Sequence, residues 1–154
     1  MPVRRSNTDV SRLAQSVVAS AQKLQPTRVI VVDVLADPVC NCDTDLTRRI
    51  IENLVINAMK HTRMDGRVRV SITGSRATVQ ISVSDEGLGV PPEGRKEIFE
   101  PYAVAGARSG AGDESFGLGL AFCKLAAEAQ GGAIRIEDRV PRGSVFTVDL
   151  PRSG

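Results

Sequence analysis

Aromatic residues are scarce in this chain of 154 residues, which has no Trp, one Tyr and four Phe. An aromatic content of 3% argues against the exposed ring surfaces on which single-stranded nucleic acids stack. The net charge of +2 is too small to indicate a partner with a phosphate backbone. No apolar run approaches the ~18 residues that a membrane-spanning helix needs. We therefore expect this domain to contact neither nucleic acid nor a membrane.

Histidine and cysteine are equally sparse. The single histidine, His61, excludes multi-histidine metal sites, and any chemistry that passes through a second histidine needs another domain or another protein. Cys40 and Cys42 have no histidine nearby and are too few for a zinc site. Together with Cys123, which we expect in or near the core, they are interpreted as ordinary reduced cysteines.

The composition, 42% hydrophobic and 25% charged, is typical of one globular domain, and we see no internal boundary over residues 1–154. Helical spacing of apolar residues predicts three main helices, at about 10–21, 45–60 and 117–130, with Asn7 or Thr8 capping the first and Asp43 or Asp45 opening the second. β-Branched and alternating segments predict five strands, at about 28–34, 68–72, 79–83, 133–137 and 144–150. A short helical piece is expected at about 95–99. The predicted fold class is therefore α+β, a two-layer α/β sandwich with a mixed five-stranded sheet covered on one face by three helices.

Four polar residues form a stripe on the second predicted helix beside its apolar stripe. Asn53, Asn57, Lys60 and His61 follow at i, i+4, i+7 and i+8, which places them on one side of the helix. A solvated face is the simplest interpretation of this spacing. Two Asn residues one turn apart count against it, because Asn is a poor helix former. Amides and an ammonium group suit an oxyanion and a hard cation.

Asp85 continues the alternation of the buried strand before it, so its carboxylate is expected on the buried face. A buried carboxylate needs a hydrogen-bond donor, which a turn amide at the end of the strand or a ligand can supply. Gly87 and Gly89 follow at once and allow a close approach of the backbone. By the same register argument Ser144 shares its face with the core residues of the last strand.

The third predicted helix opens with small residues at Gly117 and Gly119, alternating with Leu118 and Leu120. Exposed amides at a helix start attract an anion, although a simple glycine-rich helix entry fits the pattern too. The segment before it, about 103–113, is rich in Gly, Ala and Ser and has no periodicity. A loop of this length suggests a function.

These features, in this order, resemble the motifs of sensor histidine kinases. The segment 53–61 (NLVINAMKH) resembles their N box and 85–89 (DEGLG) their first glycine box. The segment 98–102 (IFEPY) resembles their F box, and 117–120 (GLGL), with a Gly pair at 131–132, their second glycine box. The residues 143–148, with Leu150 and Pro151, resemble their closing strand. The match covers about 10–151 and implies a Bergerat-type ATP-binding fold of the GHKL superfamily, shared with type II topoisomerases and mismatch-repair ATPases.

The resemblance also implies a role for each matching residue. Asp85 would accept a hydrogen bond from the adenine amino group, and Asn57 would coordinate Mg²⁺ at the phosphates of ATP. The remaining candidates for ATP binding are the supporting Asn53, the phosphate- or ribose-facing Lys60 and His61, and Gly87, Gly89, Phe99, Gly117, Leu118, Gly119, Leu120 and, more weakly, Ser144. Asn53, Asn57 and Lys60 would be the catalytic residues. The segment at about 103–115 would be an ATP lid.

The implied function is transfer of the γ-phosphoryl group of Mg-ATP to a histidine on a separate dimerisation and phosphoacceptor domain, with a response regulator as indirect partner. ATPases of the superfamily have a Glu one turn before the Mg²⁺-binding Asn. Here Asn53 occupies that position, and an amide cannot act as a general base. The same feature argues against a serine kinase of the anti-sigma-factor type, which usually has Glu there.

Two departures from the family pattern define what remains open. Ser115 and Phe116 stand where small residues are usual, so a degenerate kinase-like domain that acts as a regulatory interaction module is the alternative. The phosphoacceptor histidine is also absent. We therefore expect a fragment, inactive alone, with a linker at about 1–8 and the phosphoacceptor helices left out. The resemblance implies a cytoplasmic location for this domain and is compatible with a membrane-anchored parent protein.

Overall fold

Three α-helices lie on one face of a five-stranded sheet in the computed structural model, which describes residues 1–101 and 118–153. The helices are α1 (Val10–Leu24), α2 (Thr44–His61) and α3 (Gly119–Ala129). The strands are β1 (Arg5–Asp9), β2 (Val29–Val34), β3 (Val39–Asp43), β4 (Arg67–Gly74), β5 (Thr78–Ser84), β6 (Ala133–Asp138) and β7 (Ser144–Pro151). The predicted α+β sandwich is confirmed.

The large sheet has the order β2-β4-β5-β7-β6. Strands β2 and β4 are parallel and the other neighbours are antiparallel, so the sheet is mixed as predicted. The two hairpins, β4–β5 and β6–β7, are both present. Their antiparallel pairing brings the end of β5 beside the start of β7, where Ser84 pairs with Val145.

Alternation along the central strands separates an apolar face, which packs against the helices, from a polar face on the other side of the sheet. In β5, Val79, Ile81 and Val83 are fully or almost fully buried. The apolar positions of β4 and β7 are likewise buried against the helices. Polar residues such as Ser82 and Thr147 point to the opposite face, where their hydroxyls lie 2.9 Å apart. Helix α2 lies between α1 and α3 and contacts both. The site-bearing helix is therefore fixed from two sides as well as from the sheet.

The N-caps correct one expectation and confirm another. Asp9, and not Asn7 or Thr8, caps α1, because its Oδ1 accepts from the backbone N–H groups of Ser11 (2.9 Å) and Arg12 (3.4 Å). Of the two residues predicted to open α2, Asp43 is its N-cap, and its Oδ1 accepts from the N–H of Leu46 at 3.0 Å. Two short 3₁₀ turns, Pro92–Gly94 and Glu97–Phe99, replace the single helical piece expected at 95–99.

A second, two-stranded sheet of β1 and β3 was not predicted. Residues 1–8, expected to be a linker, include most of β1, so from Arg5 onwards they belong to the folded domain. Cys40 and Cys42 lie in β3, fully buried and unoxidised, and Cys123 is buried in α3. None of the helices within 1–101 and 118–153 is long and apolar enough to cross a bilayer.

Candidate functional site

Asp85 lies directly after β5 and is buried, with 3% of its surface exposed. Its backbone N–H donates to the carbonyl oxygen of Ser144 at 2.9 Å, which extends the β5–β7 pairing by one residue. Its Oδ1 accepts from the N–H of Gly87 at 2.9 Å and from that of Ser144 at 3.3 Å. The turn amide considered as one explanation of the buried carboxylate is therefore present.

These two donors satisfy only one oxygen of the carboxylate. No residue in the described part of the chain donates a hydrogen bond to Oδ2 of Asp85. Burial raises the pKa of the Asp85 carboxyl above its ordinary value of 3.8, and the N–H groups of Gly87 and Ser144 oppose this shift. The side chain is therefore a buried acceptor with one oxygen available to an external donor.

The end of α2 contacts the loop that follows Asp85. A Cβ atom on Gly87 would lie 2.3 Å from the carbonyl oxygen of His61, so only glycine fits this approach. The N–H of Glu86 donates to the hydroxyl oxygen of Thr62 at 3.1 Å. His61 is exposed at the end of α2, and its charge opposes, as a minor contribution, the rise in the pKa of the Asp85 carboxyl.

The polar stripe of α2 leads away from Asp85 along the helix. Asn53 and Asn57 are both half-buried, and Lys60 is exposed in the last turn. Asn53 donates through Nδ2 to the carbonyl oxygen of Arg49 at 3.0 Å. The amide of Asn57 makes no hydrogen bond with any described residue. Both amides are therefore partly open to solvent or to a ligand, and the solvated face and the ligand-binding face both stay predictions.

The start of α3 reaches the same stripe. A Cβ atom on Gly119 would lie 3.0 Å from Oδ1 of Asn53, so the two helices approach closely at this point. Leu118 is exposed, Leu120 is half-buried against the core, and no side chain caps the helix. The first N–H groups of such a helix have no partner within it. Gly117 and the predicted lid at 103–115, with Ser115 and Phe116, lie outside the described residues.

The turn between β6 and β7 closes the site on the side of Asp85. Gly143 has a φ of +110°, and a Cβ atom on it would lie 2.0 Å from the carbonyl oxygen of Asp85. Gly89 has a φ of +82° with its nearest neighbour, the carbonyl oxygen of Gly143, 3.4 Å from the Cβ position. Gly89 is thus required for its backbone conformation and Gly143 also for space.

Phe99 ends the second 3₁₀ turn, Glu97–Phe99. Its ring meets the ring of Phe146 edge to face, with 6.1 Å between centroids and an interplanar angle of 81°. Phe146 is two residues beyond Ser144 on the same face of β7. The structure thus shows Phe99 supporting the strand that carries Ser144.

Several residues that shape the site escaped the sequence analysis: Arg28, Thr62, Glu86, Arg139 and Gly143. Only Gly143 had a visible signal, since a glycine directly before a strand often marks a required backbone conformation. The other residues act through contacts with segments between 19 and 53 positions away in the sequence. Spacing within one element cannot reveal such contacts.

The fold and the site together define a class of protein. A mixed sheet with α2 and α3 on one face and a buried Asp at the end of β5 forms the Bergerat-type sandwich of the GHKL superfamily. Residues 42–154 match the family model described as histidine kinase-, DNA gyrase B- and HSP90-like ATPase. The chain belongs to this family, as the catalytic and ATP-binding type of domain found in histidine kinases.

Individual relatives agree with this assignment. The adaptive-response sensory kinase SasA of Gloeothece citriformis is 37% identical over 116 residues, which cover 74% of this chain and 29% of the relative. SasA of a Synechococcus strain is 33% identical over 156 residues, covering 97% of this chain and 40% of the relative. The chain therefore spans less than half the length of these relatives.

Solved structures show the same architecture. The mycobacterial sensor histidine kinase MprB superposes with a TM-score of 0.84 at 27% identity, over 95% of this chain and 97% of that one. The catalytic domain of the histidine kinase ThkA gives a TM-score of 0.84 at 22% identity, over 98% and 99% of the two chains.

Proposed function

We propose that this domain binds Mg-ATP and donates the γ-phosphoryl group to a histidine on a separate dimerisation and phosphoacceptor domain in two-component signalling. The family supports the coarser statement, ATP binding with a kinase role. The observation that carries the nucleotide-binding part of the proposal is the buried Asp85 carboxylate, whose Oδ2 accepts no hydrogen bond from the described residues. An exocyclic amino group of a purine is a donor of the required kind.

The remaining site residues would divide between the base and the phosphates. Gly87 and Gly89 would leave space beside the adenine ring, and Ser144 would border it. Lys60 and His61 would neutralise charge on the phosphates or contact the ribose. The uncapped first turn of α3, from Leu118 to Leu120, would offer backbone N–H groups to a phosphate.

The residues present fit a magnesium ion that arrives with the nucleotide. In the described part of the chain, no three or more His, Cys, Asp or Glu side chains gather into a metal site. The amide oxygen of Asn57 is a hard ligand without a hydrogen-bond partner among the described residues, and Mg²⁺ usually takes one or two protein ligands beside phosphates and water. Asn57 would hold the ion, with Asn53 in support. When bound, the ion would neutralise charge on the transferring phosphoryl group.

The transfer itself would need little covalent chemistry from this chain. The bond between the γ-phosphorus and the β,γ-bridging oxygen breaks, a bond from the same phosphorus to a histidine nitrogen forms, and ADP leaves. Such a reaction depends on positioning and on charge neutralisation. Asn53 cannot take a proton from water, so ATP would be kept for the histidine.

Calorimetric titration with a non-hydrolysable Mg-ATP analogue tests the proposal. We expect binding by the wild-type domain and a loss of affinity in Asp85→Asn, because the amide presents a donor where the base needs an acceptor. Asp33→Asn is the matched control, since Asp33 forms an ion pair with Arg69 on the polar face of the sheet, opposite the helices. Equal affinity of all three proteins, or no binding by any of them, would contradict the proposal.

The two alternatives stay predictions. A degenerate interaction module rests on Ser115 and Phe116, which lie outside the described residues, and phosphorylation of a histidine by the full-length protein would exclude it. A serine kinase of the anti-sigma-factor type is disfavoured by Asn53. Acid-stable phosphate on a serine of a partner, in place of acid-labile phosphohistidine, would support it.

A further inference from the structure

The turn between β6 and β7 is braced by Arg139. Its backbone N–H donates to the carbonyl oxygen of Gly143 at 3.0 Å, which closes the turn. Its Nη1 donates to the carbonyl oxygen of Arg142, also at 3.0 Å. Arg139 therefore binds the turn at two carbonyl groups, those of Arg142 and Gly143.

This turn is in direct contact with the backbone that carries Asp85. The Cβ position of Gly143 lies 2.0 Å from the carbonyl oxygen of Asp85 and 3.1 Å from the Cα atom of Glu86. The next residue, Ser144, supplies one of the two N–H donors to Oδ1 of Asp85, at a rather long 3.3 Å. A small displacement of the turn would therefore change the orientation of the Asp85 carboxylate.

Glu86 connects this turn to the rest of the site. Its Oε2 accepts from Nη2 of Arg139 at 3.1 Å, and its Oε1 accepts from the backbone N–H of Arg67 at the start of β4, also at 3.1 Å. Its own N–H is bound by Thr62. The side chains of Glu86 and Arg139 are 31% and 29% exposed, so the ion pair is only partly screened by solvent.

We propose that the Glu86–Arg139 ion pair positions Asp85 for base recognition, so that discrimination between a 6-aminopurine and a 6-oxopurine depends on the turn between β6 and β7. Both residues are positioning residues. The inference rests on the proposed function, because it assumes that Asp85 reads the amino group of adenine. Four parts of the chain meet at this ion pair: the end of α2, the start of β4, the loop after Asp85 and the β6–β7 turn.

The consequence concerns specificity more than affinity. A correctly oriented Asp85 gains a hydrogen bond from the 6-amino group of ATP and faces an acceptor in the 6-oxo group of ITP. When the carboxylate is free to rotate, both the gain in ATP affinity and the penalty in ITP affinity decrease. A general loss of stability would weaken the binding of both nucleotides by the same factor. The ratio of the dissociation constants for ITP and ATP therefore separates positioning from stability.

The experiment measures both dissociation constants by calorimetry for the wild type, Arg139→Met, Arg139→Lys and Glu86→Gln. We expect the ITP/ATP ratio to fall about 5-fold in Arg139→Met, the effect of one partly exposed charged hydrogen bond. Glu86→Gln should give a similar fall, because its amide can still accept from Arg67 but no longer pairs with Arg139. Arg139→Lys keeps the charge and should retain most of the discrimination. The double variant with Arg139→Met and Glu86→Gln should show no larger fall in the ITP/ATP ratio than either single variant.

Arg135→Met is the matched control, because Arg135 on β6 forms a comparable pair with Asp149 on β7 at 2.6 Å. Its ITP/ATP ratio should equal that of the wild type. Unchanged ratios in Arg139→Met and Glu86→Gln, beside a wild type that discriminates, would overturn the inference and leave the proposed function intact. A wild type that binds ATP and ITP equally would contradict base recognition by Asp85 and thus both proposals. If Arg139→Met does not fold, Glu86→Gln decides the question.

Discussion

Arg28 donates through Nη2 to the carbonyl oxygen of Thr62 at 2.9 Å, so that the residue before β2 holds the residue after α2. The same guanidinium donates to the carbonyl oxygens of Met59 (3.0 Å) and Gly66 (3.1 Å), and Nε donates to Oε1 of Gln25 (2.8 Å). Arg28 is 3% exposed, and none of its hydrogen bonds in the described chain goes to a carboxylate. The negative end of the α2 dipole takes the place of a counter-ion.

Replacing Arg28 should therefore destabilise the domain. Arg28→Met leaves several buried carbonyl groups without a donor, and we expect a loss of about 3 kcal/mol in the free energy of unfolding. For a domain of this size, such a loss lowers the melting temperature by about 10 °C. Arg12→Met, at a side chain that is 86% exposed, is the control and should leave the melting temperature unchanged. Equal melting curves for both variants would show that the guanidinium contributes nothing to stability.

The buried charge of Asp85 should lower the stability of the domain while it favours nucleotide binding. Its pKa is raised in the folded protein, so between 3.8 and the raised value the native state binds more protons than the unfolded state. The free energy of unfolding therefore decreases as the pH rises through this window, and the cost remains at neutral pH. Asp85→Asn removes the buried charge while its Oδ1 can still accept from Gly87 and Ser144. We expect a higher melting temperature at pH 7.

The same substitution should weaken ATP binding by roughly 10- to 100-fold, the effect of a lost acceptor opposite a donor. In the wild type, ATP affinity should also fall as the pH decreases through the raised pKa, and Asp85→Asn should lack this acid limb. Thermal denaturation and calorimetry at several pH values measure both effects. A destabilised Asp85→Asn at pH 7 would mean that the carboxylate is better paired than its contacts indicate.

The location of Asp85 on the buried face could be predicted from sequence because the side-chain period of a strand is fixed at two. The polar side of α2 was predictable for the same kind of reason, since helical spacing places Asn53 and Asn57 together. The sheet of β1 and β3 escaped prediction because β3 carries only one strongly apolar β-former, Val39. Its buried cysteines and Asp43 give no strand pattern.

What could not be predicted is how the elements are joined around the site. Arg28 precedes a β-branched run and looks like an ordinary strand-edge residue in the sequence. Its role appears only when the chain returns 35 residues later, at Arg63, and offers it carbonyl groups. Glu86 is likewise explained by its contacts with Arg67 and Arg139, which depend on the fold and not on local pattern.

Position 87 requires glycine because a side chain would not fit there. A second glycine in the same loop, Gly94, provides the comparison. Gly87→Ala places a Cβ atom 2.3 Å from the carbonyl oxygen of His61, so α2 and the loop must separate. We expect a loss of about 2 kcal/mol of stability and a large loss of ATP affinity. Gly94→Ala is the matched control, because its nearest neighbour is a side-chain carbon of Val90 at 3.9 Å. Wild-type affinity in Gly87→Ala would show that the approach to His61 is not needed for binding.

Asn53 should keep the domain from hydrolysing ATP. Its Oδ1 lies 3.0 Å from the Cβ position of Gly119, at the start of α3, and its Nδ2 is bound by the carbonyl oxygen of Arg49. Asn53→Glu introduces a carboxylate that can take a proton from water beside the phosphates, and we expect ADP release that the wild type does not show.

Two controls separate the position of this carboxylate from its charge. Asn53→Gln has the length of Glu without its basicity and should release no ADP. Glu52→Gln removes the neighbouring carboxylate, which is exposed about 100° away around the helix, and should leave the rate unchanged. Measurable hydrolysis by the wild type that Glu52→Gln abolishes would show that water is activated from Glu52, and that Asn53 does not protect ATP.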